Sequence, residues 1–268
     1  MIQTIDDLIA GMQPPNTFTK AVTGTMVAGR PHSLFYLAGM PGAAVAPSPG
    51  IGGAVLTAYA GQIPFTDSPS ESNAYLARFQ GMATIAGTLI LADRLWHNSG
   101  ITITSTSEQV FTSSAQIPAR DRDGTNVGNG VLAGVEVSGV TGSGTPTLTL
   151  KYTNQSGLAN QVATNLVATV ASSIAGTFYP IGLAAGDTGI QKAQSLTLSA
   201  TWTSGTIHVV LYREIARLEL TAGNVGNAID SLTSGFPRLY TDSVPFLIFI
   251  PSTTTTSNIS GQVIFTQG

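Results

Sequence analysis

The sequence predicts a mainly β chain, with an antiparallel β-sandwich or jelly-roll-like body over residues 101–268. An extended N-terminal arm with short helices is expected before it, over residues 1–100. Three observations carry this reading. Beyond residue 101, apolar and polar residues alternate at period two in one segment after another. Gly-rich stretches with turn chemistry separate those segments, the spacing expected of a sandwich. No helical periodicity is long, no heptads are sustained, and no fixed-period repeat marks a solenoid.

Taken in order, the chain opens with Thr4-Ile5-Asp6-Asp7-Leu8-Ile9-Ala10-Gly11-Met12. Ile5, Leu8, Ile9 and Met12 fall at helical spacing. Thr4 suits an N-cap, Asp6 and Asp7 suit the positive end of the dipole, and Pro14-Pro15 stops the helix. Two to three turns are too few to stand alone, so this apolar face needs a partner and is a candidate interface. From Asn16 to Ser70 nothing regular persists. Turn chemistry at Gly39-Met40-Pro41-Gly42 and Pro47-Ser48-Pro49-Gly50 separates apolar pieces that carry almost no charge. A surface-hugging loop region fits this pattern, as does an arm that lies on other subunits; the length favours the arm. Ser70 to Met82 reads as helical, with Leu76, Phe79 and Met82 three apart. Gly87 to Ala92 reads as a buried strand. Further strands are expected at Ile101–Thr104, Val131–Ser138, Leu148–Tyr152, Leu196–Trp202, Ile207–Tyr212, Phe246–Ile250 and Val263–Phe265.

The composition limits the function. The 268 residues carry 11 Lys plus Arg and 14 Asp plus Glu, a net charge of −3. Charged residues are 9% of the chain, where a soluble domain commonly has ~25%. Polarity comes instead from 35 Thr and 24 Ser. Such a surface is suited to being covered by other copies or other proteins. There is no basic excess for nucleic acid. No apolar run approaches the ~20 residues of a membrane helix, so no membrane partner is expected. The N-terminus has acids and no Lys or Arg before Lys20, so no secretory signal is expected. Cys is absent, which removes disulfides and thiolate chemistry.

Motifs for catalysis are weak. There is no P-loop, no Gly-x-Ser-x-Gly elbow and no His-Glu-x-x-His. Gly50-Ile51-Gly52-Gly53 lacks the spacing and the preceding strand of a phosphate cradle. His32, His97 and His208 are far apart in sequence. Asp93 and His97 would meet on a helix as carboxylate and imidazole, or serve as a local hydrogen bond beside Trp96. No catalytic residue, metal or cofactor is expected. Arg120-Asp121-Arg122-Asp123 is the densest charge; it reads as an exposed self-compensating loop or as an intersubunit ion-pair loop. Arg213, Glu214, Arg217 and Glu219 form a second cluster, a solvated face or a salt-bridging interface. On one straight strand, Arg213, Ile215 and Arg217 would share a side; on a helix over 213–220, Arg213 and Arg217 would repel slightly and Glu214 would pair with Arg217.

Several stretches resemble tailed-bacteriophage virion structural proteins. They are Arg30-Pro31-His32-Ser33-Leu34-Phe35-Tyr36 onward to Gly50, Ala92-Asp93-Arg94-Leu95-Trp96-His97, Ser173 to Pro180, and Ala200 to Thr206. The resemblance spans most of the chain and carries no motif of known chemical role. It implies a place in the virion, made in the host bacterial cytoplasm. The missing long spine helix argues against a major capsid protein. A capsid cement or decoration protein is the expectation, a homotrimer bound to the major capsid protein or to other virion proteins. A neck, tail or fibre component and a glycan-binding β-sandwich are the alternatives.

Overall fold

The computed structural model describes residue 2, residues 4–69 and residues 72–268. In chain order, α1 (Ile5–Ala10) and β1 (Asn16–Val22) are followed by three short strands, β2 (His32–Ser33), β3 (Gly39–Met40) and β4 (Ala54–Val55). Two long strands come next, β5 (Ala74–Ala83) and β6 (Gly87–His97). Then follow β7 (Gln109–Val110), β8 (Val131–Gly139), β9 (Leu148–Asn154), β10 (Gln161–Thr164), β11 (Phe178–Ile181) and β12 (Ile190–Leu198). The chain closes with β13 (Thr206–Leu220), β14 (Asn227–Asp230), α2 (Ser231–Ser234), β15 (Arg238–Leu239), β16 (Pro245–Pro251) and β17 (Ser257–Gln267).

These strands make three antiparallel sheets. A seven-stranded sheet runs β11-β8-β13-β6-β16-β2, with β4 beside β6. A four-stranded sheet runs β10-β9-β12-β7, and a six-stranded sheet runs β14-β5-β17-β1-β3 with β15 beside β5. The mainly β, sandwich-like body read from period two is what the chain forms. Both smaller sheets pack on one face of the seven-stranded sheet. Val131, Ala133, Val135, Val209, Leu211 and Trp96 meet Leu148, Leu150, Leu196 and Trp202 in one core. Leu89, Leu91, Leu218, Leu220 and Phe249 meet Phe18, Phe79, Val263 and Phe265 in the other. The opposite face carries Ile90, Ala92, Val210, Tyr212, Phe246 and Ile248, partly covered by Phe35, Tyr36 and Tyr59.

Several expectations need correction. The helix read over Ser70–Met82 is strand β5 from Ala74 onward; Ser70 and Glu71 lie outside the described residues. β5 pairs with β17, and the register shifts so that Leu76 faces Phe265 while Arg78 faces Ile264. The extra residue, Ala77, is a β-bulge. It returns Leu76 and Phe79 to the same side, and a three-residue spacing then imitates helical period. Ile101 and Ile103 are buried as expected, but Ile101–Thr104 forms no strand. The strand expected to reach Trp202 ends at Leu198.

The arm lies along the chain's own body. β1 pairs over its whole length with β17, and Phe18, Val22, Met26, Leu34, Phe35 and Leu56 are buried. Its apolar pieces thus leave water against this same chain, at about 25 cal/mol per Å². Strand β6, also before residue 101, runs between β13 and β16 in the seven-stranded sheet. One polar group makes the arm's path possible. Lys20 is buried, and its Nζ donates to the carbonyls of Leu37 (3.0 Å), Pro41 (2.5 Å) and Gly42 (3.3 Å). Burial lowers its pKa to about 8.

Candidate functional site

The charged residues divide into those used inside the chain and those left on its surface. Arg94 on β6 and Glu136 on β8 are both fully buried, with Nη2 and Oε2 2.7 Å apart. The Tyr36 hydroxyl donates to the same Glu136 oxygen at 2.9 Å. The Arg94 guanidinium also lies 4.6 Å from the Phe35 ring centre. Burial opposes both charges, yet each outweighs that penalty for the other, holding the Arg94 pKa up and the Glu136 pKa down. This pair locks the covering segment of the arm onto the outer sheet face.

On the inner face, Asp93 of β6 is fully buried where the two cores meet. It accepts from the Val244 amide (2.8 Å) and the Ser243 hydroxyl (3.0 Å). Arg120 Nε stands 3.5 Å and Arg213 Nη2 3.9 Å from its Oδ2. His97 is bound elsewhere: its Nδ1 accepts from Arg94 Nε at 3.2 Å, and Tyr59 stacks edge-on at 4.9 Å. The reason is a second bulge. β6 and β13 shift register between Trp96–Leu211 and Arg94–Tyr212, so Leu95 is extra. Asp93 and His97 therefore face opposite sides of the sheet.

A third bulge separates the other arginines. β13 and β6 shift again between Glu214–Ala92 and Ala216–Leu91. Arg213 is buried and donates to the Arg238 carbonyl at 3.0 Å. Arg217 emerges on the outer face, where it bonds both Glu214 oxygens at 3.1 Å. The shared side expected for Arg213 and Arg217 on a straight strand is lost. The pair Arg217–Glu214 borders an apolar groove of about 490 Å³ floored by Leu132, Phe178, Tyr212 and Ile248.

The Arg120–Asp123 loop is likewise split. Arg120 and Asp121 are buried, whereas Arg122 and Asp123 are exposed and stand 3.9 Å apart. Asp121 accepts from the amides of Asp123, Thr125, Gly128 and Asn129 and from the Thr125 hydroxyl. Its carboxylate thus organises its own loop. A neighbour approaching this loop would meet Arg122 and Asp123.

The apolar N-terminal residues do reach the surface. Thr4 and Asp7 form a capping box on α1, which fixes a helix of one and a half turns. Ile5 is 71%, Ile9 59% and Met12 45% exposed. Leu8 is half-buried and lines a hollow of about 350 Å³ with Ile5, Leu232 and Phe236. Leu232 of α2 is 84% exposed. The sequence pointed to the α1 half of this patch. The α2 half was missed, because Asn227–Ser234 carries no apolar periodicity.

One further pair has the polarity of an activated hydroxyl. Ser138 Oγ lies 2.7 Å from His208 Nε2, and His208 Nδ1 lies 2.8 Å from the Asn98 carbonyl. The Asn98 carbonyl can only accept, so Nδ1 donates to it and Nε2 is left to accept the hydroxyl hydrogen, and burial, which depresses the His208 pKa, favours that neutral ring. None of the cavities described here is lined by either residue; the bonds tie β8 and β13 to the turn after β6. Among the described residues, no three His, Asp or Glu side chains stand together as metal ligands, and no helix is long and apolar enough to cross a membrane.

No protein-family model matches the chain, and no curated protein matches it. Weakly similar solved structures include the VP2 subviral particle of infectious bursal disease virus. There the identity is 9% and the TM-score 0.22, over 96% of this chain and 81% of that one. The Gx strain of the same virus gives 10% and 0.22, over 95% and 81%. At that TM-score the likeness carries no argument.

Proposed function

We propose that the chain is a non-enzymatic structural protein of a tailed-phage virion, of the capsid cement or decoration kind. It works as a homotrimer seated on the major capsid protein. The observation that carries this reading is the surface. The whole chain has 25 charged side chains, and eight of those among the described residues are buried, so at most 17 serve 10551 Å² of accessible surface. Leu232, Ile5 and Ile9 stand out from that surface as large apolar groups. A monomer free in water is ordinarily covered with charge, whereas interfaces are depleted of Lys, Glu and Asp. The resemblance of the sequence to phage virion proteins supports the same reading. The glycan-binding alternative is weakened, because Trp96 and Trp202 are both fully buried and offer no stacking platform.

Electron microscopy of intact particles tests the proposal. The expected result is density for this three-sheet fold on the head shell, at the joints between shell subunits, in groups of three. Density at the neck, tail or fibres would replace the cement reading with its rival. Absence from purified particles would overturn the virion role itself.

A further inference from the structure

The outer face of the seven-stranded sheet curls until its two edges meet. The Ser33 amide of β2 donates to the Gly176 carbonyl at 2.7 Å, the Phe178 amide of β11 donates to the Pro31 carbonyl at 2.9 Å, and His32 pairs with Thr177 between them. Strands β11-β8-β13-β6-β16-β2 thus form a closed ring, and the outer face becomes the lining of a lumen. One end of that lumen is plugged by Phe35 and the buried Arg94–Glu136 pair. The other end is the cavity of about 490 Å³ beside Arg217 and Glu214. Pro31, Ile90, Leu132, Phe178, Tyr212 and Ile248 line it, one from each strand of the ring or the residue leading into it. The mouth of a β-barrel is a usual place for a small-molecule site, and the volume falls within the ~300–1,000 Å³ of such sites.

The polar groups narrow the ligand. Arg217 and Glu214 at the rim are already bonded to each other at 3.1 Å. Tyr212 is different. It is 4% exposed, and its hydroxyl has no hydrogen-bond partner among the described residues. Its ring packs edge-on against Phe178 at 5.4 Å and, toward the plugged end, against Phe246 at 6.3 Å. The charges of Glu214 and Arg217 both act on the hydroxyl, which puts it on the mouth side of the ring. Burial and the Glu214 charge hold its pKa above the ordinary phenol value, so it keeps its hydrogen and can donate it.

We infer that this barrel mouth binds an uncharged small molecule with an apolar body, which lies against Ile90, Leu132, Phe178 and Ile248, and one hydrogen-bond acceptor, which takes the hydrogen of Tyr212. A carboxylate head would meet Glu214 and an ammonium head would meet Arg217, with no unpaired counter-charge to offset the loss of water. The site does not depend on the virion reading, and its test is separate from it.

The test titrates the full-length protein with 1-hexanol, hexanoate and hexylammonium, three heads on one aliphatic body. Calorimetric titration and melting temperature are the readouts, with light scattering alongside. 1-Hexanol should bind saturably and raise the melting temperature, and both charged analogues should bind at least about tenfold more weakly. Tyr212→Phe keeps the ring and removes the hydroxyl. It should weaken hexanol binding about fivefold, the worth of one neutral hydrogen bond. Leu232→Glu, in the α1–α2 patch, should leave that binding unchanged. The inference fails if hexanol shows no saturable binding, or if either charged analogue binds as tightly. It fails equally if Tyr212→Phe binds hexanol like the unaltered protein, or if Leu232→Glu loses as much affinity as Tyr212→Phe. A fall in assembled mass on adding hexanol would also overturn it, since the mouth would then hold a side chain of a second copy.

Discussion

Replacing Glu136 by Gln isolates the Arg94–Glu136 pair, which holds the arm segment over the outer sheet face. The two atoms are 2.7 Å apart and neither side chain is exposed. At an effective dielectric constant of ~20 their attraction is about 6 kcal/mol, set against the desolvation of both ions. Gln keeps the volume and an acceptor for the Tyr36 hydroxyl, but leaves the Arg94 charge buried with no counter-ion. Breaking a buried pair from one side costs about 3–5 kcal/mol. With an unfolding entropy of ~2.1 cal/mol/K per residue, 268 residues correspond to about 0.56 kcal/mol per degree. Glu136→Gln should therefore melt about 5–9 °C lower by differential scanning calorimetry. Arg94→Met combined with Glu136→Leu removes both charges and should be less destabilised than Glu136→Gln alone. A drop below about 2 °C for the single variant, or a double variant worse than both singles combined, would refute the claim that these charges depend on each other.

The remaining predictions concern acid, packing and surface. His32, His97 and His208 are all held below the ordinary imidazole pKa by burial, His32 at about 4. They stay neutral in the folded chain while the unfolded chain takes up protons below ~6.5, so stability is full above that pH and falls between 6.5 and 4. His32 alone accounts for about 3 kcal/mol of that loss, and melting curves of His32→Asn at pH 7.5 and 4.5 should show a smaller difference than the unaltered chain. A Cβ on Gly134 would lie 2.2 Å from the Phe178 ring, so Gly134→Ala should lose about 1–3 kcal/mol in urea unfolding; a neutral result would mean that Phe178 yields freely. Leu232→Glu at the 84% exposed position should change stability by no more than about 0.5 kcal/mol. It should nonetheless lower the assembled mass measured by light scattering, and unchanged assembly would place the contact away from the α1–α2 patch.

Legibility in the sequence followed locality. Thr4, Asp7 and the Ile5–Leu8–Ile9 spacing fall within one helical turn or two, and the capped helix α1 is where they put it. Val131–Gly139 and Leu148–Asn154 alternate without interruption, and both became strands with the expected face inward. The shortage of charge was also visible from composition alone. The candidate site was only half legible: Ile5, Ile9 and Met12 came from spacing, but Leu232 joins them solely because the fold brings it to the same hollow as Ile5 and Leu8, at a separation of more than 200 residues.

What the sequence by itself determined is the fold class, the inward set of each regular strand and the sparse surface charge, because period two and composition act residue by residue. Only the tertiary structure decided which charges are buried and which face each one takes. Bulges at Ala77, Leu95 and the Glu214–Ala216 step reverse the side-chain side in mid-strand, and a bulge is a property of two paired strands. Beyond it, a one-residue slip moves every side chain to the other face. For that reason Leu76 and Phe79 imitated a helix, Asp93 parted from His97, and Arg213 went inside to Asp93 while Arg217 went out to Glu214.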